Sequence, residues 1–337
     1  MTKKVLITGI SGMVGSHLAD YLLKNSNYKI FGACRWRSPI DNIRHLSNNI
    51  NEKKRIFLEY MDLNDANSVN GIIKKVKPDF VFHLAAQSFP LASFNMSDTT
   101  YDTNVNGTHR LLESIRNINI DPLIHVCSSS EVFGRVSKKY LPINENTPYH
   151  PASPYAISKV GTELIGKFFF EAYGLKIITT RMFTHTGPRR SDFFAESSFA
   201  KQIALIENGF QKPIIYVGNT KSLRTIADVR DAVRAYYLLL HVKPIPGEIY
   251  NIGGEKSLTI ASIIDFLISQ STYKGLIKTK VEKSRLRPID ADLQVPDTRK
   301  FRKHTKWKPE VDYKKTLRDL LNYWRKEINN GGGFLNR

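Results

Sequence analysis

The chain has 337 residues, of which 41% are hydrophobic, and it carries 50 Lys and Arg against 31 Asp and Glu for a formal charge of +19. This is enough apolar material for a sizeable core, which excludes global disorder, and no apolar run nears the ~18–20 residues of a bilayer span. The positive charge suits either a nucleic-acid surface or the handling of phosphates; it is spread along the chain, denser after residue 273, without zinc-finger spacing, an RNA-binding aromatic signature or a basic helix, so no nucleic-acid partner is expected.

Strand and helix signals alternate through the first half. Lys4 to Thr8 is a short apolar strand, and Met13 to Leu23 carries a helical apolar pattern. Tyr28 to Ala33 and Arg55 to Tyr60 read as strands, Ala66 to Val76 as a helix, Phe80 to Leu84 as a strand, Asn104 to Arg116 as a helix and Leu123 to Ser128 as a strand. A helix over Ser158 to Tyr173 and a strand over Leu175 to Arg181 complete the series. Such alternation predicts an α/β fold with a doubly wound parallel sheet. After about residue 185 the rhythm breaks. Loops at Pro188 to Ala195 and Lys283 to Asp297 mix with strands at Ile214 to Val217 and Glu248 to Ile252. Helices follow at Phe199 to Asn208, Val229 to His241, Ile260 to Ser269 and Tyr313 to Glu327. The expected division is 1–184 for the first domain and 185–330 for a smaller C-terminal α/β region, partly interleaved with it. The tail, 331–337, opens with Gly331-Gly332-Gly333 and is expected to be flexible.

Thr8-Gly9-Ile10-Ser11-Gly12-Met13-Val14-Gly15 lies between the first strand and the first helix. Glycines there allow a tight turn and the close approach of a pyrophosphate, which the helix N-terminus attracts. An acidic residue ending the second strand would bind an NAD ribose diol, but the chain has Arg35-Trp36-Arg37-Ser38. Arg35, Arg37 and Ser38 suit a 2′-phosphate, so NADP is the expected cofactor. Asp62-Leu63 and His83-Leu84-Ala85-Ala86 end later strands and can meet the adenine and the cofactor backbone.

Tyr155 and Lys159 are spaced i, i+4, so on a helix they share a face. A neighbouring ammonium is expected to depress the tyrosine pKa and make Tyr155 a general acid/base. Upstream, Cys127-Ser128-Ser129-Ser130-Glu131 should end on the same edge of the sheet. Cys34 and Cys127 lack metal-ligand spacing and read as buried thiols of a reducing compartment, so no metal is expected. Lys3 and Lys4 precede only a Val5–Ile7 run, so neither a signal peptide nor a membrane partner is expected, and a cytoplasmic location follows by default.

Together the glycine loop, His83-Leu84-Ala85-Ala86, the serine run and Tyr155-Ala156-Ile157-Ser158-Lys159 resemble the extended short-chain dehydrogenase/reductases, with their Rossmann fold. Within them the chain is similar to GDP-mannose 4,6-dehydratases and the related GDP-4-keto-6-deoxymannose reductases. The similarity rests on Leu84-Ala85-Ala86-Gln87-Ser88, Ser153-Pro154-Tyr155-Ala156, His185 with Pro188-Arg189-Arg190, Val217-Gly218-Asn219, Arg287-Pro288 and Trp307-Lys308-Pro309. It implies a redox-neutral dehydration of a GDP-sugar in which NADP is recycled. Catalytic roles fall on Ser129, Glu131, Tyr155 and Lys159, with Glu131 as the base at C5. Cofactor contacts would come from Thr8, Gly9, Gly12, Met13, Val14, Gly15, Arg35, Arg37, Asp62, Leu63, Leu84, Ala85, Ala86, Gln87, Tyr155, Lys159 and His185. Substrate contacts would come from Ser88, Ser130, Thr184, Arg190, Lys201, Val217, Asn219, Arg224 and Arg287. The family pattern has Asn-His where this chain has Thr184-His185, and Arg-Asp where it has Arg224-Thr225. The first departure lies near the sugar and leaves a larger sugar such as a GDP-heptose open. A reductase or epimerase on the same scaffold, and a non-catalytic NADP-binding protein, are the alternative readings. The resemblance also implies a homodimer or homotetramer, with the Arg35 to Ile43 loop reaching a neighbouring subunit.

Overall fold

A segment such as Val5-Leu6-Ile7 has no polar face to offer water, so it is at home only inside a sheet covered on both sides. In the computed structural model, which describes residues 2–331, it is fully buried. The expected tail, apart from Gly331, lies outside the described residues. Six strands alternate with helices: β1 (Lys4–Thr8), β2 (Lys29–Cys34), β3 (Ile56–Tyr60), β4 (Phe80–His83), β5 (Leu123–Cys127) and β6 (Ile177–Met182). Shorter strands follow as β7 (His185–Thr186), β8 (Ile214–Val217), β9 (Leu223–Thr225), β10 (Ala227–Asp228) and β11 (Ile249–Ile252). The last three are β12 (Ser257–Thr259), β13 (Lys278–Val281) and β14 (Leu293–Gln294).

The main sheet has seven strands in the order β11-β6-β5-β4-β1-β2-β3, and every pairing in it is parallel. This is the doubly wound Rossmann arrangement. Alternate residues of each strand feed two cores. Val5, Ile7 and Phe82 join Leu18 and Leu22 of the Met13–Asn25 helix and Tyr236 and Leu239 of the Val229–His241 helix. Leu6, Val81 and Val126 join Ile73, Leu111 and Phe169 on the opposite face. The Ala66–Val76 helix buries Val69, Ile72, Ile73 and Val76, a 3.6-residue stripe, and Asp65 caps it by accepting from the Asn67 N–H.

The remaining strands form small ribbons around a third core, where Phe199, Ile203, Ile263, Leu320 and Trp324 meet. The strand β11 leaves that region to pair with β6 at the edge of the main sheet. The helix expected from Ser158 begins a turn earlier, at Pro154. Pro154 occupies the first helical position, where a missing N–H costs nothing, and Ser153 Oγ accepts from Ala156 N at 3.1 Å. The helix expected from Asn104 begins with a π turn over Asp102–Asn106 and is α-helical only over Gly107–Asn117. There Asn104 accepts from the Gln87 backbone N–H at 2.8 Å and donates to Ser158 Oγ at 2.8 Å, tying the loop after β4 to the Pro154–Tyr173 helix. The β13 strand and the Arg299–Thr305 helix carry no pattern that sequence reasoning detected.

Candidate active site

The C-terminal ends of β1, β4, β5 and β6 open onto one cleft of about 1130 Å³. That exceeds the ~300–1,000 Å³ of a pocket for one drug-sized ligand and leaves room for two. Gly9 leaves β1 at a φ of +75°, and a side chain there would meet Ala85 Cα at 2.9 Å. At Gly15 a Cβ would collide with the Gly9 carbonyl oxygen and lie 2.7 Å from Ile10 Cα. Gly12 caps the Met13–Asn25 helix without a side-chain bond, and the first turn carries no acid. The free N–H groups and positive dipole end therefore face the cleft, lined here by Gly9, Gly12, Met13, Val14 and Gly15. This cradle fits the pyrophosphate of a dinucleotide.

Thr8 lies behind the cradle. It is fully buried, and its hydroxyl accepts from the Leu84 and Ala85 N–H groups, each at 3.0 Å. Leu84, Ala86 and Ser88 line the cleft, whereas Ala85 and Gln87 stand outside its lining. Asp62 and Leu63 also lie beyond it; Asp62 accepts from the Asn64 N–H and Leu63 is buried beneath Gly107. Arg35 and Arg37 are exposed on the turn after β2, without an ion pair among the described residues. Asn42, unforeseen in the sequence, reaches back to bond the Ser11 carbonyl at 3.0 Å and joins the cleft wall.

The Pro154–Tyr173 helix lies beside β5 and brings Tyr155 and Lys159 against the serine run, so Ser129, Ser130, Glu131, Tyr155 and Lys159 all line the cleft. Ser129 Oγ accepts from the Glu131 N–H at 3.2 Å. Lys159 Nζ donates to the Cys127 carbonyl at 2.7 Å and stands 5.9 Å from the centre of the Tyr155 ring. This corrects the expectation that Lys159 lowers the tyrosine pKa. Burial instead pushes the Tyr155 phenol far above its usual value; a hydrogen bond from Ser129 and the charge of Arg190 oppose the rise, and Glu131 adds to it. Burial also holds Lys159 below the usual lysine range, countered by the Cys127 and Glu163 charges.

Glu163 continues the Tyr155, Lys159 four-residue spacing along the same helix face. It is 2% exposed and accepts from Ser128 Oγ at 2.5 Å, Tyr149 Oη at 2.8 Å and the Arg181 guanidinium at 2.8–3.0 Å. It thereby fixes the end of β5 to the helix that carries Tyr155.

The far end of the cleft is cationic. Arg287 Nη1 lies 3.2 Å from Glu131 Oε1 and 3.9 Å from Asp290, and Arg224 Nη2 lies 3.4 Å from the same Asp290. Burial alone would raise the Asp290 carboxyl, but Arg224 and Arg287 hold it below the usual range. Asn219 bonds Asp290 at 3.1 Å, and Lys201 pairs with Asp192 at 2.8 Å. Arg190 lies over the Phe194 ring, 3.4 Å from its centre, and burial lowers its pKa to about 10. Thr184 and His185 also line the cleft; burial and Arg190 hold His185 at about 4, so its imidazole is neutral near pH 7. Val217 is buried behind the wall.

A doubly wound sheet whose strand ends carry a glycine cradle and a Ser–Tyr–Lys set is the framework of the extended short-chain dehydrogenase/reductases. The family described as GDP-mannose 4,6 dehydratase matches residues 6–320. GDP-mannose 4,6 dehydratase 1 of Arabidopsis thaliana is 33% identical over 329 residues, covering 95% of this chain and 89% of its own. The GDP-mannose 4,6-dehydratase of Yersinia enterocolitica is 30% identical, covering 95% and 93%. The chain belongs to the GDP-mannose 4,6-dehydratase family. Among solved structures, RMD from Pseudomonas aeruginosa complexed with NADPH superposes with a TM-score of 0.81 at 27% identity, covering 96% of this chain and 99% of its own. UDP-glucose 4-epimerase from Thermotoga maritima with UDP-glucose superposes with a TM-score of 0.84 at 25% identity, covering 96% and 99%.

Proposed function

We propose that the protein is an NADP-dependent 4,6-dehydratase of a GDP-mannose-type sugar, hexose or manno-heptose. The observation that carries this reading is a carboxylate, Glu131, on the same cleft wall as Ser129, Tyr155 and Lys159. A sugar 4-epimerization has no need of a base at C5, whereas a dehydration does. A nicotinamide dinucleotide would lie on Gly9, Gly12 and Met13 to Gly15, pass Leu84 and Ala86, and present its ring near Tyr155, Lys159 and His185. Arg35 and Arg37, unpaired and exposed just beyond β2, favour NADP through charge-assisted bonds to its 2′-phosphate. The similar chain complexed with NADPH agrees with this choice.

When bound, the nicotinamide supplies hydride acceptance at C4 and hydride return at C6. Ser129 holds the C4 oxygen, and Tyr155, acting as the phenolate that the Ser129 hydrogen bond and the Arg190 charge favour, removes the C4 hydroxyl proton. Once C4 is a ketone, the C5 proton is acidic; Glu131 removes it and protonates the departing C6 hydroxyl, so one water leaves, and as C6 is reduced C5 regains a proton that balances the one Tyr155 took. Arg190, Arg224 and Arg287 bind the diphosphate end, which their charge suits. Ile157, Leu164 and Phe168 form an exposed apolar stripe on the Pro154–Tyr173 helix, which supports a homodimer through this face. A cytoplasmic location belongs to the same proposal.

The test is incubation of purified protein with GDP-mannose or GDP-manno-heptose, without added cofactor, followed by mass spectrometry. The product is expected one water lighter than the substrate. Turnover that instead consumes NADPH stoichiometrically would identify a reductase and overturn the dehydratase reading.

A further inference from the structure

The reacting half of a 4,6-dehydration is C4, C5 and C6, and Ser129, Tyr155 and Glu131 serve those atoms. The hydroxyls on C2 and C3 remain, and other residues of the cleft must receive them. Glu196 is one that lines it. It lies in the first turn of the Ala195–Glu207 helix, is 5% exposed and lines the cleft. No donor reaches its carboxylate within hydrogen-bond distance among the described residues.

Its carboxylate opens onto the cleft, where a ligand or water can donate to it. Its orientation is set by its neighbours. Ser197 turns to the protein side, donating to the Arg190 carbonyl at 2.7 Å and accepting from Trp324 at 2.8 Å. Two residues before Glu196, Phe194 holds the Arg190 guanidinium on its ring, and Arg190 Nε is itself buried and unpartnered. The Glu196 charge is felt at both Arg190 and Arg287, while Arg190 is felt at Tyr155 and Arg287 touches Glu131. These contacts set Glu196 between the cationic end of the cleft and the wall of Tyr155 and Glu131. A carboxylate against the diphosphate would be repelled, so an uncharged hydroxylated group is its natural partner.

The geometry points to Glu196 as a sugar-recognition residue that accepts hydrogen bonds from the C2 and C3 hydroxyls of the bound glycosyl group. This rests on the reading of the cleft as a nucleotide-sugar site. It makes Glu196 a determinant of which sugar is held, distinct from the arginines that hold the nucleotide diphosphate.

The experiment compares wild type with Glu196→Ala and Glu196→Gln by titration calorimetry, using GDP, GDP-mannose and a GDP-mannose analogue lacking the C3 hydroxyl. A charge-assisted hydrogen bond predicts GDP-mannose binding about 10–100-fold weaker in Glu196→Ala, with GDP binding not weakened. The 3-deoxy analogue should bind wild type more weakly than GDP-mannose does, and lose less than GDP-mannose on substitution. Glu196→Gln, which keeps the volume and one acceptor, should fall between and serves if the alanine variant unfolds. Equal weakening of GDP and GDP-mannose, or no weakening of either, overturns the proposal. If wild type binds GDP-mannose but releases no water, the dehydratase reading falls, while a selective loss in the Glu196 variants still upholds the sugar contact.

Discussion

Removing the Glu163 carboxylate should damage both the fold and the chemistry. The side chains of Glu163 and Arg181 are 1% and 3% exposed, and their shortest contact is 2.8 Å. Breaking such a buried pair costs about 3–5 kcal/mol, because the remaining charge stays buried without a partner. The Ser128 and Tyr149 hydroxyls also lose their acceptor, so Glu163→Ala belongs at the upper end, about 5 kcal/mol. Replacing both residues, as Glu163→Leu with Arg181→Met, removes the orphaned charge. The double variant should therefore recover at least about 2 kcal/mol relative to the sum of the two singles. Urea unfolding at fixed pH measures each corner of the cycle. Ser128 adjoins Ser129, so a folded Glu163→Gln variant should lose more in kcat than in KM. A cost below about 1 kcal/mol for Glu163→Ala, or strict additivity of the pair, would refute the reasoning.

Converting Arg35 and Arg37 to Ala should weaken NADP far more than NAD, by about 10-fold or more for a lost charge-assisted contact, measured as cofactor dissociation constants; equal losses would remove both residues from 2′-phosphate recognition. Glu131→Gln should lower kcat by about 10²–10⁴-fold and abolish exchange of the C5 hydrogen with deuterated solvent, read by NMR. Substituting Arg190 with Gln removes a charge that lowers the Tyr155 pKa, so the rise of kcat/KM with pH should move to higher pH in that variant. Burial holds His83 and His125 at about 3, whereas an unfolded chain protonates its histidines near pH 6.5. The unfolded state therefore binds more protons between those values, and stability present above about pH 6.5 should drain away as the pH falls towards 3. Melting temperatures that stay level from pH 7 to 4 would contradict the burial of these imidazoles.

The main sheet was readable because its strands obey one rule each. Continuous apolar runs such as Val5-Leu6-Ile7 fit only a covered parallel sheet, and the glycine loop sits where such a sheet meets its first helix. The helix expected from Ser158 starts a turn earlier, at Pro154, because proline favours first helical positions. Glu163 continued the Tyr155, Lys159 spacing and was visible to an i, i+4 count. Glu196 and Asn42 left no such mark; each reaches the cleft through a loop or helix start whose placement depends on distant packing. The Lys159 effect on Tyr155 failed for a similar reason. Helical spacing sets which face a side chain shares, but the Cys127 carbonyl, at the end of β5, decides where its ammonium points.

The pairing of β11 with β6 also sets a clock on biosynthesis. A ribosome that has just released β6 still has ~70 residues to add before β11 follows, about 3–14 s at ~5–20 residues per second. Throughout that interval Thr179–Met182 presents an open edge, the kind of edge through which unfinished sheets join one another. Nascent chains stalled between these strands should be the ones that chaperones retain and that aggregate when expression outpaces them.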